Sequence, residues 1–155
     1  MSEEAFRREL EIIARILVAS PKAYRAVMQE KDAGVRYVFQ DMATNQAMRL
    51  ANITRLDWPL RKTDHVPAPV QSIRDALNVS LSEGNLPVIL IYHWTDEHWG
   101  IAHLPGPFEI NWETRKHKKT GEPLYLIPLK DFKIIMNYAN KSNTPVKLNR
   151  FHTME

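Results

Sequence analysis

The chain contains no cysteine. That excludes a disulfide framework, a thiol nucleophile and a thiolate-rich zinc or iron–sulfur site. Glycine is scarce, five residues in 155, and unrepeated, which excludes collagen-like and Gly/Ser low-complexity architecture. Long apolar runs are missing too. The longest wholly apolar ones, Leu86 to Tyr92 and Pro123 to Leu129, fall far short of the ~20 residues a membrane helix needs, so no membrane association is expected. The start, Met1-Ser2-Glu3-Glu4, is acidic where a secretory or organellar segment would be basic, and a cytoplasmic location is the expectation. There is no phosphate-cradling glycine loop, dinucleotide fingerprint or Gly-x-Ser-x-Gly elbow. Neither nucleotide-dependent nor serine-hydrolase chemistry is predicted, and no cofactor.

What is present is a normal globular composition, 44% apolar and 25% charged, which predicts one folded domain over residues 1–155. The net charge of +3 is unevenly spread. Residues 1–113 hold 12 Lys/Arg against 15 Asp/Glu, whereas residues 114–155 hold 9 against 3. A local excess of that kind attracts phosphates or an acidic protein face, and its reach is set by a Debye length of roughly 8–10 Å.

Periodicity predicts helices in the first part, residues 1–84. Phe6, Leu10, Ile13 and Leu17 recur at helical spacing. Ser20-Pro21 reads as a second start, carrying Tyr24, Val27 and Met28 inward. A third helix is expected over 32–50 with Val35, Val38, Phe39, Met42, Ala43 and Ala47. Residues 52–68 hold two prolines and no clear period, and read as a crossing segment pinned by Trp58 and Leu60. A fourth helix is predicted from Pro69 to about Ser82, with Val70, Ile73, Leu77 and Leu81 inward and Gly84 as its stop.

From Pro87 the pattern becomes that of strands: Val88 to Thr95, His98 to Leu104, Phe108 to Glu113 and Leu124 to Leu129. The first two read as a hairpin with Trp94 opposite Trp99. A closing helix is expected over 131–140 and a basic tail over 141–155. The fold class is therefore α+β: N-terminal helices packed on a four-stranded antiparallel meander spanning 87–129, with a closing C-terminal helix.

Two groups of residues carry candidate chemistry. With Trp94 facing Trp99, His93 and His98 become diagonal neighbours on one face. Two imidazoles that titrate near neutrality serve as general base and acid for metal-independent phosphodiester cleavage, with Glu109 available to orient one of them. The spacing of these residues with Asp96 and Glu97 matches no metal template, so no metal is predicted. The second group is Arg115, Lys116, His117, Lys118 and Lys119 in a hairpin loop, extended by Lys141, Lys147 and Arg150 in the tail. Such cations position nucleic acid through its phosphates, and Trp112 or Tyr125 would add stacking.

The bland reading of the same loop is a solvated turn that also discourages sheet-to-sheet aggregation. The leading expectation is a non-enzymatic accessory domain contacting DNA, RNA or an acidic protein through the basic hairpin and tail. The alternatives are a ribonuclease-like phosphodiesterase built on His93 and His98, and a protein-binding inhibitor or adaptor that uses Trp58, Trp94, Trp99 or Trp112 as an interface anchor.

Overall fold

Tyr37 and Phe39 are buried on one side of an extended segment whose Val38 packs on the other, and this two-sided burial is the key to the architecture. The structure, a computed structural model, describes residues 3–4, 24–30 and 33–136. Among these the order is β1 (Tyr24–Met28), β2 (Tyr37–Asp41), β3 (Ala47–Arg55), a 3-10 turn (Leu60–Lys62), β4 (His65–Pro69), α1 (Val70–Ser82), β5 (Val88–His93), β6 (His98–His103), β7 (Glu113–Lys116), β8 (Pro123–Pro128), a second 3-10 turn (Leu129–Asp131) and β9 (Phe132–Met136).

Six strands form one sheet in the order β1-β2-β3-β5-β6-β9, and three form another in the order β4-β8-β7. All neighbouring pairs are antiparallel except β3 with β5, which run parallel from Leu50 opposite Val88 to Arg55 opposite His93. Parallel neighbours need a long crossover, and here it consists of β4 and α1.

α1 buries Val70, Ile73 and Ala76. Ile73 and Ala76, together with Val66, Ala68 and Ile127 of the small sheet, pack in one cluster with Leu50, Val88, Leu90, Tyr92, Ala102 and Phe132 of the large sheet and with Trp94 just past β5. On the opposite face Tyr24, Tyr37, Phe39, Ala51, Ile89, Ile91 and Trp99 form a second cluster. Every residue of β5 is buried, alternating between the two clusters.

The expected α+β class with N-terminal helices on a four-stranded meander is thus overturned by a mostly β architecture with α1 as the one full-length helix among the described residues. The segments read as helical at Tyr24–Met28 and over 32–50 are β1, β2 and β3. A strand covered on both faces loses the clean alternation of a half-buried one, and Val35, Val38, Phe39 and Met42 fall by coincidence at helical steps. Asp41 breaks the reading physically. Its Oδ1 accepts the Ala43 and Thr44 amides at 2.7 and 3.3 Å, and Asn45 takes φ 59, so the chain reverses where a helix would continue.

The closing helix is also corrected. Residues 129–131 form a 3-10 turn and Phe132–Met136 pair with β6, while 137–140 lie outside the described residues. Of the helix read through Phe6, Leu10, Ile13 and Leu17, only Glu3 and Glu4 are described, and both are helical. The meander fails because β3 enters beside β5 and because β7 and β8 leave for the second sheet. The predicted strand Phe108 to Glu113 is a turn at 107–109 followed by coil, with β7 starting only at Glu113.

α1 is observed where its periodicity placed it. It stops at Gly84, φ 79, and Asn85, φ 63, where the Asn85 amide returns to Ser80 O at 2.8 Å. Trp58 and Leu60 pack against the larger cluster as expected.

Candidate functional site

The β5–β6 turn is one residue shorter than the sequence suggests. The Trp94 amide donates to His98 O at 3.0 Å, closing a three-residue turn in which Glu97 takes φ 65. His93 therefore pairs with Trp99 and Tyr92 with Gly100. A one-residue slip sends alternate side chains to the other face. His93 lies in the face of Ile89 and Ile91, 4% exposed, its ring stacked on Trp99 at 3.7 Å between centroids and 12° between planes. His98 lies on the opposite face and is half-buried. The structure thus separates the two histidines that an acid–base pair requires together. Glu109 sits in the exposed turn after β6 and makes no hydrogen bond or ion pair to either of them among the described residues.

His98 has a different companion. Its Nδ1 is 3.2 Å from Asp96 Oδ1, and both Asp96 oxygens accept the Leu60 amide at 3.1 Å. With the Thr95 amide on Trp58 O at 3.2 Å, these bonds fasten the hairpin turn to the segment before β4. Desolvation pushes the Asp96 pKa up, but the Leu60 amide, the His98 hydrogen bond and the His98 charge outweigh it, so the carboxyl sits below its ordinary value. No group of three or more His, Asp or Glu positioned to hold a metal occurs among the described residues.

The basic hairpin is a built turn. The His117 amide donates to Glu122 O at 2.8 Å and the Gly121 amide to His117 O at 2.9 Å, with Gly121 at φ 71. His117 Nδ1 accepts the Lys119 and Thr120 amides at 3.1 and 3.3 Å. His117 is therefore a turn-forming residue whose Nδ1 is occupied. Arg115 and Lys116 lie on β7, the edge strand of the small sheet, and Lys118 and Lys119 lie in the turn; residues 113–122 are all exposed.

Stacking partners are not presented with them. Trp112 is 8% exposed, donates to Asp131 Oδ2 at 3.0 Å and receives the half-buried Tyr125 ring edge-on at 5.9 Å. A groove of about 440 Å³ at the base of the hairpin carries both signs, with Asp64, Glu113 and Asp131 alongside His65, Arg115 and Lys130. Lys141, Lys147 and Arg150 lie outside the described residues. Of the other tryptophans, Trp94 and Trp99 are buried and Trp58 is half-buried. Among the described residues, Phe108 is the fully exposed aromatic.

Two features escaped the sequence reading. Asp96 was visible as a turn residue, but its partner Leu60 is distant in sequence. A recess lined by Thr54 of β3, Ser72 and Ile73 of α1 and Tyr92 of β5 depends on a parallel pairing of β3 with β5 that no local pattern announces. No helix among the described residues is long and apolar enough to cross a membrane. No protein-family model, curated protein or solved structure matches the chain.

Proposed function

We propose that the chain is a non-enzymatic accessory protein that contacts the phosphate backbone of nucleic acid through the β7–β8 hairpin. The observation that supports this reading is the exposure of Arg115, Lys116, Lys118 and Lys119 on a hairpin whose turn is held by its own hydrogen bonds. The site offers charge without an exposed aromatic face at Trp112, so binding is salt-dependent and sequence-tolerant. Four phosphate contacts imply a slope of about −3.6 for log affinity against log salt on duplex DNA.

Fluorescence polarisation against single- and double-stranded DNA and RNA over a salt series tests this. Replacing the four cations with alanine is expected to abolish most of the slope. Absence of salt-dependent binding, or affinity unchanged in that variant, overturns the reading. Direct binding of labelled polyglutamate, lost in the four-alanine variant, with no binding to any nucleic acid assigns the hairpin to an acidic protein instead. The phosphodiesterase alternative loses its geometric basis, because β5–β6 pairing places His93 and His98 on opposite faces.

A further inference from the structure

The two edges of the small sheet, β4 and β7, are closed off differently. On β4 the Leu129 amide donates to Asp64 O at 3.1 Å, and His65 to Pro69 run opposite Pro128 to Leu124 of β8. Antiparallel ladders alternate between residues that bond across the pair and residues that turn their N–H and C=O away. Val66 and Ala68 therefore bond to β8, while Pro67 and Pro69 face outward, where neither has an N–H to offer. These prolines block that edge against a further strand.

β7 has no such block. The His117 amide donates to Glu122 O at 2.8 Å, so the same alternation makes Glu113 and Arg115 the residues that bond to β8. It turns the N–H and C=O of Thr114 and Lys116 outward. Pro123, opposite Lys116, fits this phase because no N–H is required of it there. Among the described residues β7 pairs with β8 alone, and Glu113 to Lys116 are all exposed. β7 is thus a free edge whose outward donors and acceptors are in place.

Charge selects what fits this edge. Glu113 and Arg115 share one face of β7, both lining the groove at the base of the hairpin. Two copies of β7 brought edge to edge about a two-fold axis must set outward-facing residues opposite one another, which leaves few registers. With Thr114 opposite the second copy's Thr114, Glu113 meets the second copy's Arg115, and Arg115 meets the second copy's Glu113. Both pairs occupy the close, non-hydrogen-bonded positions, where opposite charges stabilise a sheet. Sliding the strands by two residues either way sets Arg115 on Arg115 or Glu113 on Glu113. The register through Thr114 also sends the Lys118-Lys119 turns of the two copies to opposite ends of the paired strands, which keeps like charges apart.

We infer that β7 pairs with β7 of a second copy, antiparallel and centred on Thr114, joining two three-stranded sheets into one. The pairing leaves the side chains of Lys116, Lys118 and Lys119 unengaged and stands whether or not the hairpin binds nucleic acid.

An edge of four residues makes a small interface, of the kind found in weak, transient complexes. Sedimentation equilibrium of the full chain, without nucleic acid, should show a monomer–dimer equilibrium with a dissociation constant below about 1 mM. Glu113→Arg and Arg115→Glu, both at exposed positions, should each weaken self-association by about tenfold or more, because each sets like charges opposite one another. An equimolar mixture of these two variants should associate as tightly as the native chain, since each copy supplies the charge the other lacks. Thr114→Pro removes an outward N–H while sparing the bonds to β8, and should abolish the dimer. A native chain that stays monomeric up to about 1 mM, single reversals that associate as the native chain does, a mixture no tighter than either variant alone, or a Thr114→Pro chain that still dimerises overturns the assignment.

Discussion

Replacing Gly100 with alanine tests the packing of the larger cluster directly. Gly100 lies in β6 opposite Tyr92, and a Cβ there would fall 2.7 Å from both Cη2 and Cζ3 of Trp94 and 3.2 Å from Phe132 Cδ1. Non-bonded carbons rest at ~3.5–4.0 Å, so the overlap with the indole is about 0.8–1.3 Å. Trp94 is fully buried and meets Phe132 in a T-shaped contact at 5.9 Å, so a rigid ring, with no flexible chain end to yield, must move.

Overpacking of this kind costs about 1–3 kcal/mol. Alanine recovers ~0.4–1 kcal/mol by restricting the unfolded chain. The net loss is about 1–2 kcal/mol, which in urea lowers the unfolding midpoint by about 0.5–1 M at the m-values of small domains. Gly106→Ala is the control, because the nearest atoms to its Cβ are the Glu109 carboxyl group at 3.7–3.9 Å; its stability should stay within ~0.5 kcal/mol of native. Native-like stability of Gly100→Ala, or equal losses in the two variants, refutes the account.

Asp96→Asn should alter the acid limb of stability. A carboxyl held below its ordinary pKa in the folded chain contributes stability that is present above the unfolded value, near pH 4, and lost as pH falls through the folded value. Urea midpoints of the native chain should therefore fall more steeply below about pH 4 than those of Asp96→Asn, and parallel curves contradict the Leu60 and His98 contacts. Asn52→Ala removes a side chain that bridges the Arg36 amide at 2.6 Å and Gly34 O at 3.2 Å. The Arg36 amide keeps Ala51 O at 3.1 Å as a second acceptor, so chemical denaturation should show a loss of about 1 kcal/mol, not several.

What could be read from the sequence was local. α1 shows itself because Val70, Ile73, Leu77 and Leu81 recur at helical spacing and Gly84 accepts a left-handed conformation, although the buried face is completed by Ala76 while Leu81, in the last turn, is exposed. The Arg115–Lys119 cluster is contiguous, and its exposure on a hairpin follows from composition alone. β1 to β3 were hidden because Tyr37 and Val38 both find cover, on opposite faces, and a doubly covered strand carries no period of two. The β5–β6 register depended on Glu97 adopting φ 65, a conformation few non-glycine side chains take, and that detail decides whether His98 faces His93. The crevice at Tyr92 joins Thr54, Ser72 and Tyr92 across the crossover, so no window of sequence contains it.

β5 is buried along its whole length and supplies side chains to both clusters in alternation. Neither cluster can lose its packing while that strand stays in place, and neither can keep it once the strand departs. The crossover that seats β5 beside β3 closes a long loop before any of this burial is gained, an entropic barrier that comes early and a reward that comes late. The two faces of the large sheet are therefore coupled into a single cooperative unit, and disruption begun on one side is felt on the other.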